Sequence, residues 1–195
     1  MVDVSYVECT SACVQALAAW SAFAPEDAGW LREPIRRGEQ FMRSIQRPDG
    51  SWEGSWGVCF SYGAFFGTAA LVAGGASPDD PALQRAAQYL EAQQRPDGSW
   101  SETLEANRAR RWVEGKTGHA VTTSWALLSL AACGRKDSEA VRRGVAWLRS
   151  RQGHDDRWPP EPIAGVFNRT CAVHYDIYLR AFPVWALGVC DPQRS

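Results

Sequence analysis

The sequence predicts an all-α fold, part of an α/α toroid in which polar-faced outer helices alternate with buried inner ones. Three observations carry this. A phrase recurs along the chain: QRPDGSW opens at Gln46 and at Gln94, and a diverged copy, QGHDDRW, opens at Gln152. Each copy ends in tryptophan, at Trp52, Trp100 and Trp158. Self-similarity at a period of roughly 50 residues marks a stacked helical repeat. The segment leading into each phrase is amphipathic, and the segments between them are almost free of charge.

The first inner helix is expected near residues 5–23, an Ala-rich stretch with few charges. The first outer helix is expected over 31–46, where Ile35, Phe41, Met42 and Ile45 fall at helical spacing. Residues 58–74, VCFSYGAFFGTAALVAG, are apolar on every face and predict a helix buried on most sides. Leu83, Ala86, Ala87, Tyr89 and Leu90 define the apolar stripe of a second outer helix over 79–94. Asp79 or Asp80 before Pro81 suits its start. Residues 119–133 predict another inner helix. Val141, Val145, Trp147 and Leu148 mark an outer one over 137–152, opened by Asp137-Ser138. A last inner helix is expected over 171–188. The repeats proper lie near 38–52, 86–100 and 144–158, and residues 1–195 form one domain.

The repeated phrase has a structural reading. Gln46, Gln94 and Gln152 close helices, where a side-chain amide can bond orphan backbone carbonyls. Pro-Asp-Gly then turns the chain, with Pro setting φ and Gly accepting φ > 0. Trp52, Trp100 and Trp158 are expected to stack on the neighbouring repeat's Gln. These six residues are read as structural.

Composition narrows the function. The chain has 195 residues, 45% of them hydrophobic, which suits a single core. A net charge of −1 leaves no basic patch for nucleic acid. No apolar run is long enough to cross a bilayer, and the first residues show no secretory signal. The six cysteines are scattered without a C-x-x-C pair, so they read as reduced, buried residues of an intracellular protein, with no structural zinc and no cofactor. His119 and His154, near helix boundaries, are expected to see solvent. A closed toroid of six helix pairs needs more helices than this chain encodes, and a truncated stack leaves raw edges. Either a longer polypeptide or a partner chain is expected to complete it.

At this point the residues resemble a known family. The repeats resemble the QW motifs of triterpene cyclases. YVECTSA at 6–12, DGSWEGSWGVCFSYGAFFG at 49–67 and IAGVFNRTCAVHYDIYLRAFPVWALG at 163–188 resemble, in order, the C-terminal third of oxidosqualene cyclases of the lanosterol-forming type. Asn168 after Phe167 is more similar to the animal and fungal type than to the plant type. The resemblance implies conversion of 2,3-oxidosqualene to a sterol through successive carbocations in a dry aromatic cavity. It implies that Cys9 hydrogen-bonds the acid that protonates the epoxide. It implies that Trp56 and Phe167 line the cation path, that Tyr175 and Tyr178 lie near it, and that Asn168 follows the cavity Phe. It also implies a peripheral or monotopic membrane association, on the endoplasmic reticulum or lipid droplets in a eukaryote. The family's D-C-T-A-E acid motif is absent from this sequence. His174, one residue before Tyr175, departs from the expected small residue and reads as a structural histidine facing away on a helix.

Two other readings stay open. One is a noncatalytic helical-repeat module that binds a sterol, an isoprenoid or a partner chain. The other is a toroid resembling protein-prenyltransferase β subunits, with zinc on Cys59 and His119 or His174, although no spacing supports such a site.

Overall fold

The computed structural model describes residues 5–167 and 170–191. Its helices are α1 (Val7–Phe23), α2 (Ala28–Ser44), α3 (Cys59–Ala73), α4 (Pro81–Ala92), α5 (Glu105–Ala109), α6 (Ala120–Ala132), α7 (Glu139–Arg151) and α8 (Asp176–Cys190). A 3-10 turn, Pro25–Asp27, joins α1 to α2. A small antiparallel hairpin pairs β1 (Gly165–Phe167) with β2 (Cys171–Val173), Gly165 opposite Val173.

The helices form two layers. In the inner layer α1 packs on α3, α3 on α6 and α6 on α8. The outer helices α2, α4 and α7 each lie against the inner helix that precedes them, on α1, α3 and α6. This is the alternation read from the sequence. Asp80 accepts from Ala82 N at 2.8 Å and caps α4, and Ser138 caps α7 through Val141 N.

Four expectations need correction. The segment 171–173 is a strand and not the start of the last helix, so α8 begins only at Asp176. His174 therefore precedes the helix. It is exposed and paired with Asp176, and its direction is not set by a helical period. The expected burial of inner helices holds for α3 and α6, whereas α1 buries only Val7, Glu8, Ser11 and Val14. Cys9, Cys13 and Cys171 are exposed, while Cys59, Cys133 and Cys190 are buried. Lastly, His119 is buried, 4% exposed.

The repeated phrase is a two-way staple. Trp52, Trp100 and Trp158 donate from Nε1 to Met42 O, Leu90 O and Leu148 O at 2.8, 2.7 and 3.0 Å. Those carbonyls are in the last turns of α2, α4 and α7, where the regular helix ladder runs out. So the Trp, and not the Gln, satisfies the helix end. The Gln reaches forward instead. Gln46 Nε2 donates to Gly50 O and to Ala82 O of α4, and Gln94 Nε2 to Gly98 O and to Ala140 O of α7. Gln152 Nε2 holds its own turn at Asp156 O.

Gly50 and Gly98 sit at φ +91° and +92°, pressed on the backbone carbonyls of Arg85 and Arg143. A Cβ at Gly50 would fall 2.4 Å from Arg85 O. Asp156 takes the same place in the third copy at φ 60°, a conformation Asp tolerates. Gly50→Ala is therefore expected to cost about 2 kcal/mol or more, from strain and overpacking together. Asp156→Gly should change stability by less than about 1 kcal/mol, since relief of strain offsets the looser unfolded chain. Denaturation midpoints of both variants check the contrast, and equal losses would contradict it.

Candidate functional site: an aromatic wall

The site is built on the chain after the first tryptophan. Glu8, buried on α1, accepts from Ser55 N at 2.5 Å and from Trp56 N at 3.0 Å. A carboxylate taking two backbone N–H bonds fixes that backbone strongly. The hairpin then adds to this same segment. Val166 N donates to Trp56 O at 3.1 Å, Val58 N donates to Ala164 O at 2.9 Å, and Gly57 bridges Gly165. The pairing sets Phe167 beside Trp56, ring centroids 5.0 Å apart and nearly perpendicular. Tyr6 meets the other side of Trp56 edge-on at 6.2 Å.

A second group of rings continues the wall. Tyr62 lies 4.8 Å from Trp125 and 4.9 Å from Phe66. Tyr178 touches Trp125 at 5.7 Å and Tyr175 at 4.8 Å. Gly165 ties the groups together, since a Cβ there would sit 2.4 Å from the Tyr175 ring. Trp56 and Tyr178 both pack on one apolar cluster of Val58, Tyr62, Val121, Trp125, Ala164 and Val166.

The polar groups in the wall are neutral or aimed inward. Burial pushes the Tyr62 hydroxyl far above its ordinary value, reinforced by its neighbour Tyr178. Burial also raises Tyr178. Both remain phenols across the physiological range and present π faces without becoming anionic nucleophiles. Trp56 Nε1 is buried with no hydrogen-bond partner among the described residues. Such a wall holds cations by ring quadrupoles and offers them little to react with.

The structure brings Trp56 together with Phe167, and Tyr175 with Tyr178. Cys9 lies in the first turn of α1, one residue past Glu8, on the exposed side. Asn168 lies outside the described residues. The zinc reading loses its geometry. Cys59 Sγ donates to Gly54 O, His119 bonds Pro162 O and His174 bonds Asp176. Among the described residues no group of three or more His, Cys, Asp and Glu side chains is placed to hold a metal ion.

Three carboxylates important to this frame were not singled out from the sequence: Glu8, Glu102 and Glu161. Glu102, 3% exposed, accepts from Phe60 N, Ser61 N and Ser61 Oγ at the start of α3. Glu161 accepts from Ala120 N at the start of α6. Burial pushes both carboxyls up, and their N–H donors pull them back. A signal was present. An acid follows each repeated Trp within three residues, at Glu53, Glu102 and Glu161.

A two-layer array of helices with an aromatic inner wall defines a terpene-cyclase type of α/α fold. An ent-copalyl diphosphate synthase from Streptomyces platensis superposes with a TM-score of 0.76 over 97% of this chain and 34% of its own, at 22% identity. A type II terpene cyclase, MstE from Scytonema, superposes with a TM-score of 0.53 over 68% of this chain and 36% of its own, at 24% identity. These likenesses show the fold. The sequence goes further: residues 1–191 match the squalene-hopene cyclase C-terminal domain, and the chain belongs to that triterpene cyclase family. It is 48% identical to a cycloartenol synthase of Dictyostelium discoideum over 190 residues, and 44% identical to the human lanosterol synthase over 193. Each match covers 96% of this chain, 27% of the first relative and 26% of the second. The chain thus spans about a quarter of the length of these relatives.

Proposed function

We propose that residues 1–195 act as one unit forming part of the cavity wall of an oxidosqualene cyclase, which converts 2,3-oxidosqualene to a sterol. The observation that supports this best is the perpendicular Trp56–Phe167 pair, held by backbone bonds between the first repeat and the hairpin. Each desolvated ring face contributes up to about 2 kcal/mol to a passing cation. Tyr175 and Tyr178 extend the wall, and Asn168 follows Phe167 in the sequence. The proton donor comes from outside these residues, since the acid motif is not among them. In this reading Cys9, on the open side of α1, meets that acid and strengthens it by a hydrogen bond. The relatives' names favour the cyclase over a noncatalytic sterol-binding module.

No helix among the described residues is long and apolar enough to cross a membrane. A peripheral or monotopic membrane contact, on the endoplasmic reticulum or lipid droplets if the source is eukaryotic, completes the proposal. A partner chain is the other source of the missing wall.

The test is incubation with 2,3-oxidosqualene of the full-length native polypeptide that carries these residues, or of this chain together with the chain that supplies the acid, and identification of cyclised products; their complete absence overturns the reading. Cys9→Ala should lower the epoxide-opening rate by about tenfold or more while leaving substrate affinity intact, one lost hydrogen bond to a charged group being worth about 1.5–3 kcal/mol. A wild-type single-turnover rate in this variant would remove the role given to Cys9.

A further inference from the structure

We propose that His119 and Glu161 share one proton and, as a pair, position the Phe167-bearing segment against the aromatic wall. The proposal rests on the reading of that wall as part of a cyclase cavity. Three contacts define the His119 ring. Its Nε2 lies 2.9 Å from Pro162 O. A carbonyl only accepts, so Nε2 carries a hydrogen. Its Nδ1 lies 3.2 Å from Val121 N and 3.0 Å from Glu161 Oε2. A bare nitrogen beside a bare carboxylate would set two lone pairs against each other. One proton between them, resting on Oε2 and donated toward Nδ1, removes the conflict and leaves the Nδ1 lone pair turned to Val121 N as well.

The surroundings favour keeping that proton. The two side chains are 5% and 8% exposed. Glu161 Oε2 also accepts from Ala120 N at 2.7 Å, at the positive end of α6. The groups facing the pair are the N–H groups of Ala120 and Val121 from α6, Arg151 from α7, His174 and Tyr175 before α8, and Tyr178 on α8. A cavity of about 20 Å³, room for one water, separates the pair from the Tyr175 and Tyr178 rings.

The pair reaches the wall along a short stretch of chain. His119 holds Pro162 O, Ala164 O holds Val58 N, and Val166 N holds Trp56 O, which delivers Phe167 to Trp56. Without the shared proton the lone pairs would oppose each other and the tether would loosen. Glu161→Gln replaces the shared proton with an amide N–H and keeps an oxygen for Ala120 N. That variant should hold the segment. Glu161→Ala should release it.

The test uses the native polypeptide, labelled with ¹⁵N-histidine, with the His119 signals identified by their loss in His119→Asn. Wild-type Nδ1 should show a shift between those of a bare and a protonated ring nitrogen, and Glu161→Gln that of a bare, hydrogen-bonded one. Amide exchange at Val166 and Val58 should quicken about tenfold in Glu161→Ala and stay slow in Glu161→Gln. The fraction of minor products from 2,3-oxidosqualene should follow the same order. Identical His119 nitrogen shifts in wild type and Glu161→Gln would overturn the shared proton. Unchanged exchange in Glu161→Ala would overturn the positioning role. Failure to form any cyclised product would instead count against the cyclase reading, because both spectroscopic results are independent of turnover.

Discussion

Glu102→Ala is expected to lower the stability of this domain by about 3–5 kcal/mol, the largest single-site loss we foresee in the fold. The side chain is 3% exposed and takes hydrogen bonds from Phe60 N at 2.9 Å, Ser61 N at 2.9 Å and Ser61 Oγ at 2.9 Å. Alanine leaves Phe60 N and Ser61 N buried without that acceptor, while Ser61 Oγ keeps Val58 O at 3.1 Å. It also removes the negative charge that complements the positive end of α3. A domain's whole stability is about 5–15 kcal/mol, so the variant should sit near unfolding at ambient temperature. Glu102→Gln should lose about half as much, because one oxygen still accepts while the amide hydrogens face the helix N–H groups. Denaturant titration of both variants checks the order. The wall depends on this residue at a distance, since α3 carries Tyr62, Phe65 and Phe66. A Glu102→Ala protein of wild-type stability would mean that α3 does not need its cap.

The sequence made the helix layers legible because their signals are local. Periodic apolar residues, Pro81 after Asp80 and the repeated Gln–turn–Trp phrase each act within a few residues of themselves. The direction of the staple was not legible. Which of Gln46 and Trp52 meets the helix end depends on α4 arriving beside the turn, where Ala82 O accepts from Gln46. The hairpin was missed for a similar reason. Its two strands of three residues are too short to show a period, and the segment 56–58 that β1 also bonds is far away in sequence. Glu102 and Glu161 carry no local mark of their role, because their partners are backbone N–H groups about forty residues upstream. His119 was misplaced because a helix start normally faces water, and here Glu161 and Pro162 cover it. Within the wall, Trp56 and Phe167 came from resemblance. Nothing in their spacing shows that their rings meet.

That contact carries the largest expected functional effect, and the structure separates its two members. Phe167 is 46% exposed and touches Trp56 edge-on. Phe167→Ala should therefore cost about 1 kcal/mol of stability, an aromatic pair and a partly buried ring, and far less than a core phenylalanine would. Its effect on products should be much larger. Loss of one desolvated cation–π contact of about 2 kcal/mol lowers the rate of the step it serves roughly thirtyfold. Cations then leave the path early, as incompletely cyclised or prematurely deprotonated products. Trp56 is more deeply placed, packed on Val58, Tyr62 and Val166 with its Nε1 buried. Trp56→Ala should lose both, with stability falling by about 2–4 kcal/mol and products changing as well. Trp56→Phe keeps a ring on the segment that Glu8 holds, and should restore most of the stability while shifting the product ratio. Product profiles from 2,3-oxidosqualene, read beside denaturation midpoints, decide between wall and core. If Phe167→Ala lost stability on the scale of Trp56→Ala and left products unchanged, the ring would be packing and the cation path would run elsewhere. If products shifted with stability nearly intact, the hairpin would have its physical reason: it uses two backbone hydrogen bonds to residues 56–58 to hold one half-exposed ring where positive charge passes.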